Sequence, residues 1–165
     1  MADSLHKTLR GLLADDITAM LIGADPQDPD YTLAGGIHEA DTIDPEKELP
    51  FSKPCIIVAY GIDRPLGSGT NQRDDWEYPL FVGFFSVQGS RPTGDVPGLD
   101  PTLFHELIRD RYHNQRLAGA DGYIFPGNVQ TVGDVFDDTG PGFQDLKSGL
   151  VVSYVARRAR GVLTA

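Results

Sequence analysis

Cysteine is almost absent from this chain. Cys55 stands alone among 165 residues, so an internal disulfide framework is impossible and nothing argues for an oxidising compartment. Long apolar runs are missing too. None approaches the roughly 20 residues that a membrane-crossing helix needs, and the start Met1-Ala2-Asp3-Ser4 lacks the basic and apolar stretches of a secretory signal. Both absences predict a protein made in a cytoplasm and kept off membranes. Positive charge is scarce: 14 Lys and Arg face 24 Asp and Glu, for a net charge of -10. Phosphate neutralisation needs the opposite balance, so tight or sequence-specific nucleic-acid binding is disfavoured.

The remaining composition, 40% hydrophobic and 23% charged, is that of an ordinary globular protein. The length, residues 1–165, fits one domain of about 100–200 residues. A domain of this size buries about 68–70% of its unfolded surface and needs no covalent staple. Charge is unevenly spread. Residues 24–48 hold Asp25, Asp28, Asp30, Glu39, Asp41, Asp44, Glu46 and Glu48 against Lys47 alone, whereas the end of the chain carries Arg157, Arg158 and Arg160. An acidic stretch on one copy can meet a basic edge on the next, although a solvated loop and a solvated tail explain the same pattern.

Apolar spacing at Leu5, Leu9, Leu12, Leu13, Ile17, Met20 and Leu21 predicts an amphipathic helix capped by Ser4. Residues 24–53 then read as a long extended arm, because Pro26, Pro29, Pro45 and Pro50 forbid a continuous helix. Within it, Gly35-Gly36-Ile37-His38 suits a short turn or an edge strand. Strands are predicted at 55–60, at 78–88, at 127–137 and at 150–156, the last with 146–150 leading in. Gly83 in the second of these signals a bulge or a close packing contact. Residues 61–76 and 89–99 read as Gly/Pro loops. Asp100-Pro101 opens a second helix running to Leu117, with Leu103, Phe104, Leu107, Ile108 and Tyr112 as its apolar stripe.

The strands do not alternate regularly with helices, so a doubly wound fold is disfavoured. The expectation is an α+β fold. An antiparallel sheet of four to five strands carries both helices on one face, and its other face is covered by loops or by another subunit. Leu9, Leu13, Ile57, Phe84, Leu107 and Val152 are expected in one core, where Leu107→Ala would cost about 2–5 kcal/mol.

Chemistry is poorly represented. His105-Glu106-Leu107-Ile108-Arg109 begins like the zinc-protease helix, but Arg109 replaces the second histidine. His38, Glu39 and Asp41 lack a spacing that fixes metal geometry. The stretch from Asp25 to Asp30 lacks the glycine and the distal glutamate of an EF-hand. Gly67-Ser68-Gly69-Thr70 matches no phosphate-binding loop, and Cys55 reads as a small buried hydrophobe. No catalytic residue, metal site or cofactor is expected, and a chelator should leave the melting temperature unchanged. Trp76 suits either an interface anchor or ordinary packing at the sheet entrance.

The order of elements resembles the tail terminator and related head–tail joining (neck) proteins of tailed bacteriophages. The resemblance rests on the N-terminal helix, the proline-rich arm, strand 54–60, the aromatic strand from Tyr78, the Pro-started helix and the closing run Gly149-Leu150-Val151-Val152-Ser153-Tyr154-Val155-Ala156-Arg157. It implies a small structural subunit without enzymatic activity, forming a hexameric ring in the virion neck. Such a ring joins the tail to the head connector, contacts the tail tube and lets DNA pass. Alternatives from other classes are a tail tube or baseplate protein, and a small-molecule binding or enzymatic domain using loops 61–76 and 89–99. In a ring, Asp25, Asp28, Asp30, Tyr31, Glu39, Asp41, Trp76, Arg157, Arg158 and Arg160 are the expected subunit-interface residues. Deleting residues 26–48 is expected to leave a folded domain that cannot join the assembly.

Overall fold

The computed structural model describes residues 4–21, 36–43, 47, 49–51, 55–68, 70, 72–85, 101–131 and 146–159. Among these residues two helices, α1 (Leu5–Leu21) and α2 (Pro101–Tyr112), accompany six strands: β1 (Ile37–Ala40), β2 (Cys55–Tyr60), β3 (Arg64–Ser68), β4 (Arg73–Phe85), β5 (Asn128–Thr131) and β6 (Leu146–Ala159). The class is α+β. The sheet runs β1-β2-β4-β6-β5, with β3 also paired to β4.

Helix α1 forms where its spacing predicts. The Ser4 hydroxyl accepts from the Lys7 amide at 3.2 Å, which satisfies one of the first-turn donors. Leu5, Leu9, Leu13 and Ile17 recur every fourth residue and are all buried. Helix α2 buries Phe104, Ile108 and Tyr112 on the same side of the sheet, while Leu107 is only partly buried. It stops at Tyr112, short of the expected Leu117. Asn114 takes a left-handed φ of 57°, its amide donates to Gly127 O, and the Gly127 amide donates to Gln115 O. These bonds to Gly127 replace the helical ones that residues 114–117 would need, and asparagine tolerates the left-handed conformation that ends a helix.

The sheet departs from expectation in strand number and direction. It has six strands instead of four to five, and it is mixed instead of antiparallel, because β1 pairs parallel to β2, Ile37 opposite Ile56 through Ala40 opposite Ala59. A parallel pair needs a crossover rather than a tight turn. Here the crossover lies between Ala40 and Cys55, and its described residues Ile43, Leu49 and Phe51 pack on the sheet face away from the helices. The middle of the expected arm is therefore a strand of the sheet. Deleting residues 26–48 would therefore also remove β1 and uncover the edge of β2.

Residues 61–76 are likewise not a loop. They contain β3 and the first residues of β4, whose start at Arg73 precedes the expected Tyr78. Along one edge of β4, β2 pairs with Leu80–Phe85 and β3 with Asp74–Glu77. Along the other edge β6 pairs from Arg73 opposite Ala159 to Phe85 opposite Leu146. β2 and β3 on one edge and the long β6 on the other thus carry β4 well beyond its apolar centre. Pro79 fits inside this strand because it lies at the junction between β2 and β3, where its carbonyl accepts from the Gly61 amide at 2.9 Å. Strand β5 covers Asn128–Thr131 of the expected 127–137, and 132–137 lie outside the described residues, as do 86–99.

Alternation along the strands divides the interior in two. Ile56, Val58, Leu80, Val82, Phe84 and Val152 face the helices with Leu9 and Leu13. Cys55, Ile57, Ala59, Phe81, Phe85 and Val151 face the other way. Ile57 belongs to this second layer, which corrects the expectation of one core.

Candidate interface surfaces

Arg10 joins α1 to the parallel edge. Its guanidinium donates to Ala40 O at 2.8 Å, to Asp41 Oδ1 at 3.0 Å and to Glu39 Oε1 at 3.3 Å, and it lies over the Tyr60 ring at 4.1 Å. An arginine only 10% exposed needs such partners, because an unpaired charge there would be costly. Glu39 and Asp41, expected to face a neighbour, are thus bound to their own helix, yet remain 43% and 89% exposed. His38 stacks on Phe51 at 4.0 Å, so His38, Glu39 and Asp41 do not converge on a common point. Among the described residues, no three His, Cys, Asp or Glu side chains gather to hold a metal ion.

One turn before Arg10, His6 is held between Tyr60 and Tyr78, with ring centroids 4.6 and 5.4 Å away. Its Nε2 hydrogen-bonds Pro79 O at 2.9 Å. Burial lowers the His6 pKa below its ordinary 6.5, against the opposing pull of the Pro79 bond and of Asp63. On the far half of α1, Asp16 accepts from Arg111 Nε and Nη2 at 2.7 and 2.9 Å and from the Tyr112 hydroxyl at 2.8 Å. The Arg111 bonds hold the Asp16 carboxyl below its ordinary 3.8. Both shifts make the unfolded chain the better proton acceptor, so stability falls with acid in two windows. The His6 contribution is complete above pH 6.5 and is lost as pH falls toward its folded pKa. The Asp16 contribution is complete above pH 3.8 and is lost below it. A melting-temperature profile should therefore begin to fall just under pH 6.5 in the wild type. In His6→Gln that first decline should vanish while the more acidic one remains; an unchanged profile would refute the assignment.

The far end of the sheet holds the basic terminus. Arg157 makes a bidentate pair with Asp75 at 2.9 and 3.1 Å and lies 5.2 Å from the Phe125 ring centroid. Arg158 donates to the Tyr78 hydroxyl at 2.6 Å. Arg73 lies over Tyr123 at 4.1 Å, and Arg64 pairs with Glu77 at 3.0 Å. Arg157 and Arg158, expected to reach a neighbouring subunit, thus bond within their own chain. Trp76 is partly buried against the helix-side core. Asp25, Asp28, Asp30, Tyr31 and Arg160 lie outside the described residues.

Two features escaped the sequence. One is an exposed apolar corner where β2 passes into β3: Ile62 is 88% and Leu66 49% exposed. Single exposed aliphatics are unremarkable, but Ile62 just before β3 and Leu66 within it flank Arg64, and every residue of β3 is exposed. The other is a pocket of about 330 Å³ on the sheet face away from the helices, lined by Ala40, Ile43, Leu49, Phe51, Ile57 and, as its one charged side chain, Lys47. Most of its lining comes from Ile43, Lys47, Leu49 and Phe51, between β1 and β2, and no apolar period in the sequence marks those residues. No protein-family model matches this chain, and no curated protein is significantly similar to it.

Proposed function

We propose that this chain is a structural virion subunit, a tail terminator or neck protein whose copies close into a ring, with six copies the expected number. The ring would join the tail tube to the head connector in the virion of a tailed phage and let DNA pass. The supporting observation is the ribbon formed by β3, β4 and β6: β3 is exposed along its whole length and presents Leu66 outward, next to the exposed Ile62 that precedes it. A subunit that must contact copies of itself needs such a surface. The order of elements, with one helix before the sheet and a Pro-started helix after its long central strand, agrees with the resemblance. The net charge of -10 suits a wall that phosphates pass without sticking.

Sedimentation velocity over a wide concentration range, with negative-stain images of the full chain, tests this reading. Closed rings growing in with concentration are the expected result. A protein that stays monomeric at every concentration would overturn it.

A further inference from the structure

The pocket on the sheet face away from the helices has walls held by the sheet itself. Ala40 ends β1, and Ile57 lies inside β2 with a strand paired on either side. Ile43, Leu49 and Phe51 pack against the second apolar layer, yet each stays half-buried, so part of its apolar surface lines the pocket. His38 stacks on the Phe51 ring at 4.0 Å and fixes its orientation. Polar groups are few. Thr42 supplies a hydroxyl, and Lys47 is the one charged side chain of the lining. Lys47 already has a partner within the chain, while Glu39 and Asp41 are bound by Arg10 of α1. The lining therefore favours no ionic ligand. Water fits it poorly too, because a water held there needs two to four polar partners, which walls of Ile, Leu and Phe side chains do not supply. The volume of about 330 Å³ is roughly twice that of an apolar cavity that takes up benzene.

We propose that this pocket binds a small neutral hydrophobe, of the size of one aromatic ring with a short alkyl chain. Binding covers the apolar surface that Ile43, Leu49 and Phe51 leave in water and releases the poorly bonded water above it. A charged ligand of the same shape would shed its hydration there without gaining a partner. The inference does not depend on self-association.

The test titrates the full chain with n-butylbenzene and, separately, with octanoate, followed through the backbone amide NMR signals. Saturable shifts at Ile43, Leu49, Phe51 and Ile57 are expected with n-butylbenzene, and binding about tenfold weaker or more with octanoate. Thr42 is an exposed residue of the lining, so Thr42→Trp should keep the melting temperature while its indole occupies the pocket and weakens n-butylbenzene about tenfold or more. The wild-type shifts decide the question if that variant folds poorly. No saturable shift up to the solubility limit, or shifts centred elsewhere, would overturn the site. Octanoate bound as tightly as n-butylbenzene would overturn the neutral class of ligand. Shifts of the same four amides on raising the protein concentration alone would mean that a second copy fills the pocket, which overturns the ligand site and leaves the ring reading standing. A chain that binds n-butylbenzene as expected and stays monomeric at every concentration would support the site and overturn the ring.

Discussion

Phe104→Ala is expected to cost about 3–5 kcal/mol of stability. Phe104 is fully buried on the inner side of α2 and packs on Phe84 of β4, their ring centroids 5.5 Å apart. Truncation removes that contact and leaves a void between helix and sheet. The surrounding strand cannot close over it, because β4 is paired on both edges. Leu107, three residues on, is a useful control. It is only partly buried, so Leu107→Ala should cost well under the full-burial range, about 1–2 kcal/mol. Urea denaturation of the two variants beside the wild type checks the pair. Equal losses would mean that α2 is rotated about its axis from the orientation described.

Gly83→Val is the other large effect, expected at about 1–3 kcal/mol or more. Gly83 lies in the centre of β4, opposite Ile57 of β2 and opposite Gly149 of β6. A Cβ built there would fall 2.6 Å from Phe81 Cε1 and Cζ and 2.8 Å from Phe85 Cε2. The two phenylalanine rings, edge to face at 6.5 Å, occupy the space above the glycine. Any side chain must displace them from the second layer, in which both are buried. Gly122→Ala serves as the control, since nothing lies within 4 Å of the added methyl, and it should change stability by less than about 0.5 kcal/mol. A neutral Gly83→Val would show that this layer repacks freely.

Gly83 also shows what a sequence can and cannot display. Glycine inside an aromatic strand predicts a bulge or a close contact, and the structure takes the second. The register shift of this strand falls at Phe84/Phe85 instead. Helix α1 was equally legible, because its stripe repeats within one element and its cap lies one turn from the residue it serves. Of the interface residues expected from charge, Glu39, Asp41, Arg157 and Arg158 have ion-pair or hydrogen-bond partners within the chain. Composition reports which charges exist and not which of them meet.

By itself, the sequence determined what depends on near neighbours: the apolar periods of α1 and α2, the β-branched and aromatic runs of β2 and β4, the α+β class and the charge balance. Only tertiary structure decided what depends on distant residues. β1 became a parallel edge strand because Arg10 and β2 hold it there, and the stretch after Gly61 became β3 because β4 offered a ladder. Asp16 found Arg111 across 95 residues of chain. The pocket exists only because the crossover from β1 lies over β2. Each of these is a contact between segments whose local preferences were weak, and for such segments the partner supplies the conformation.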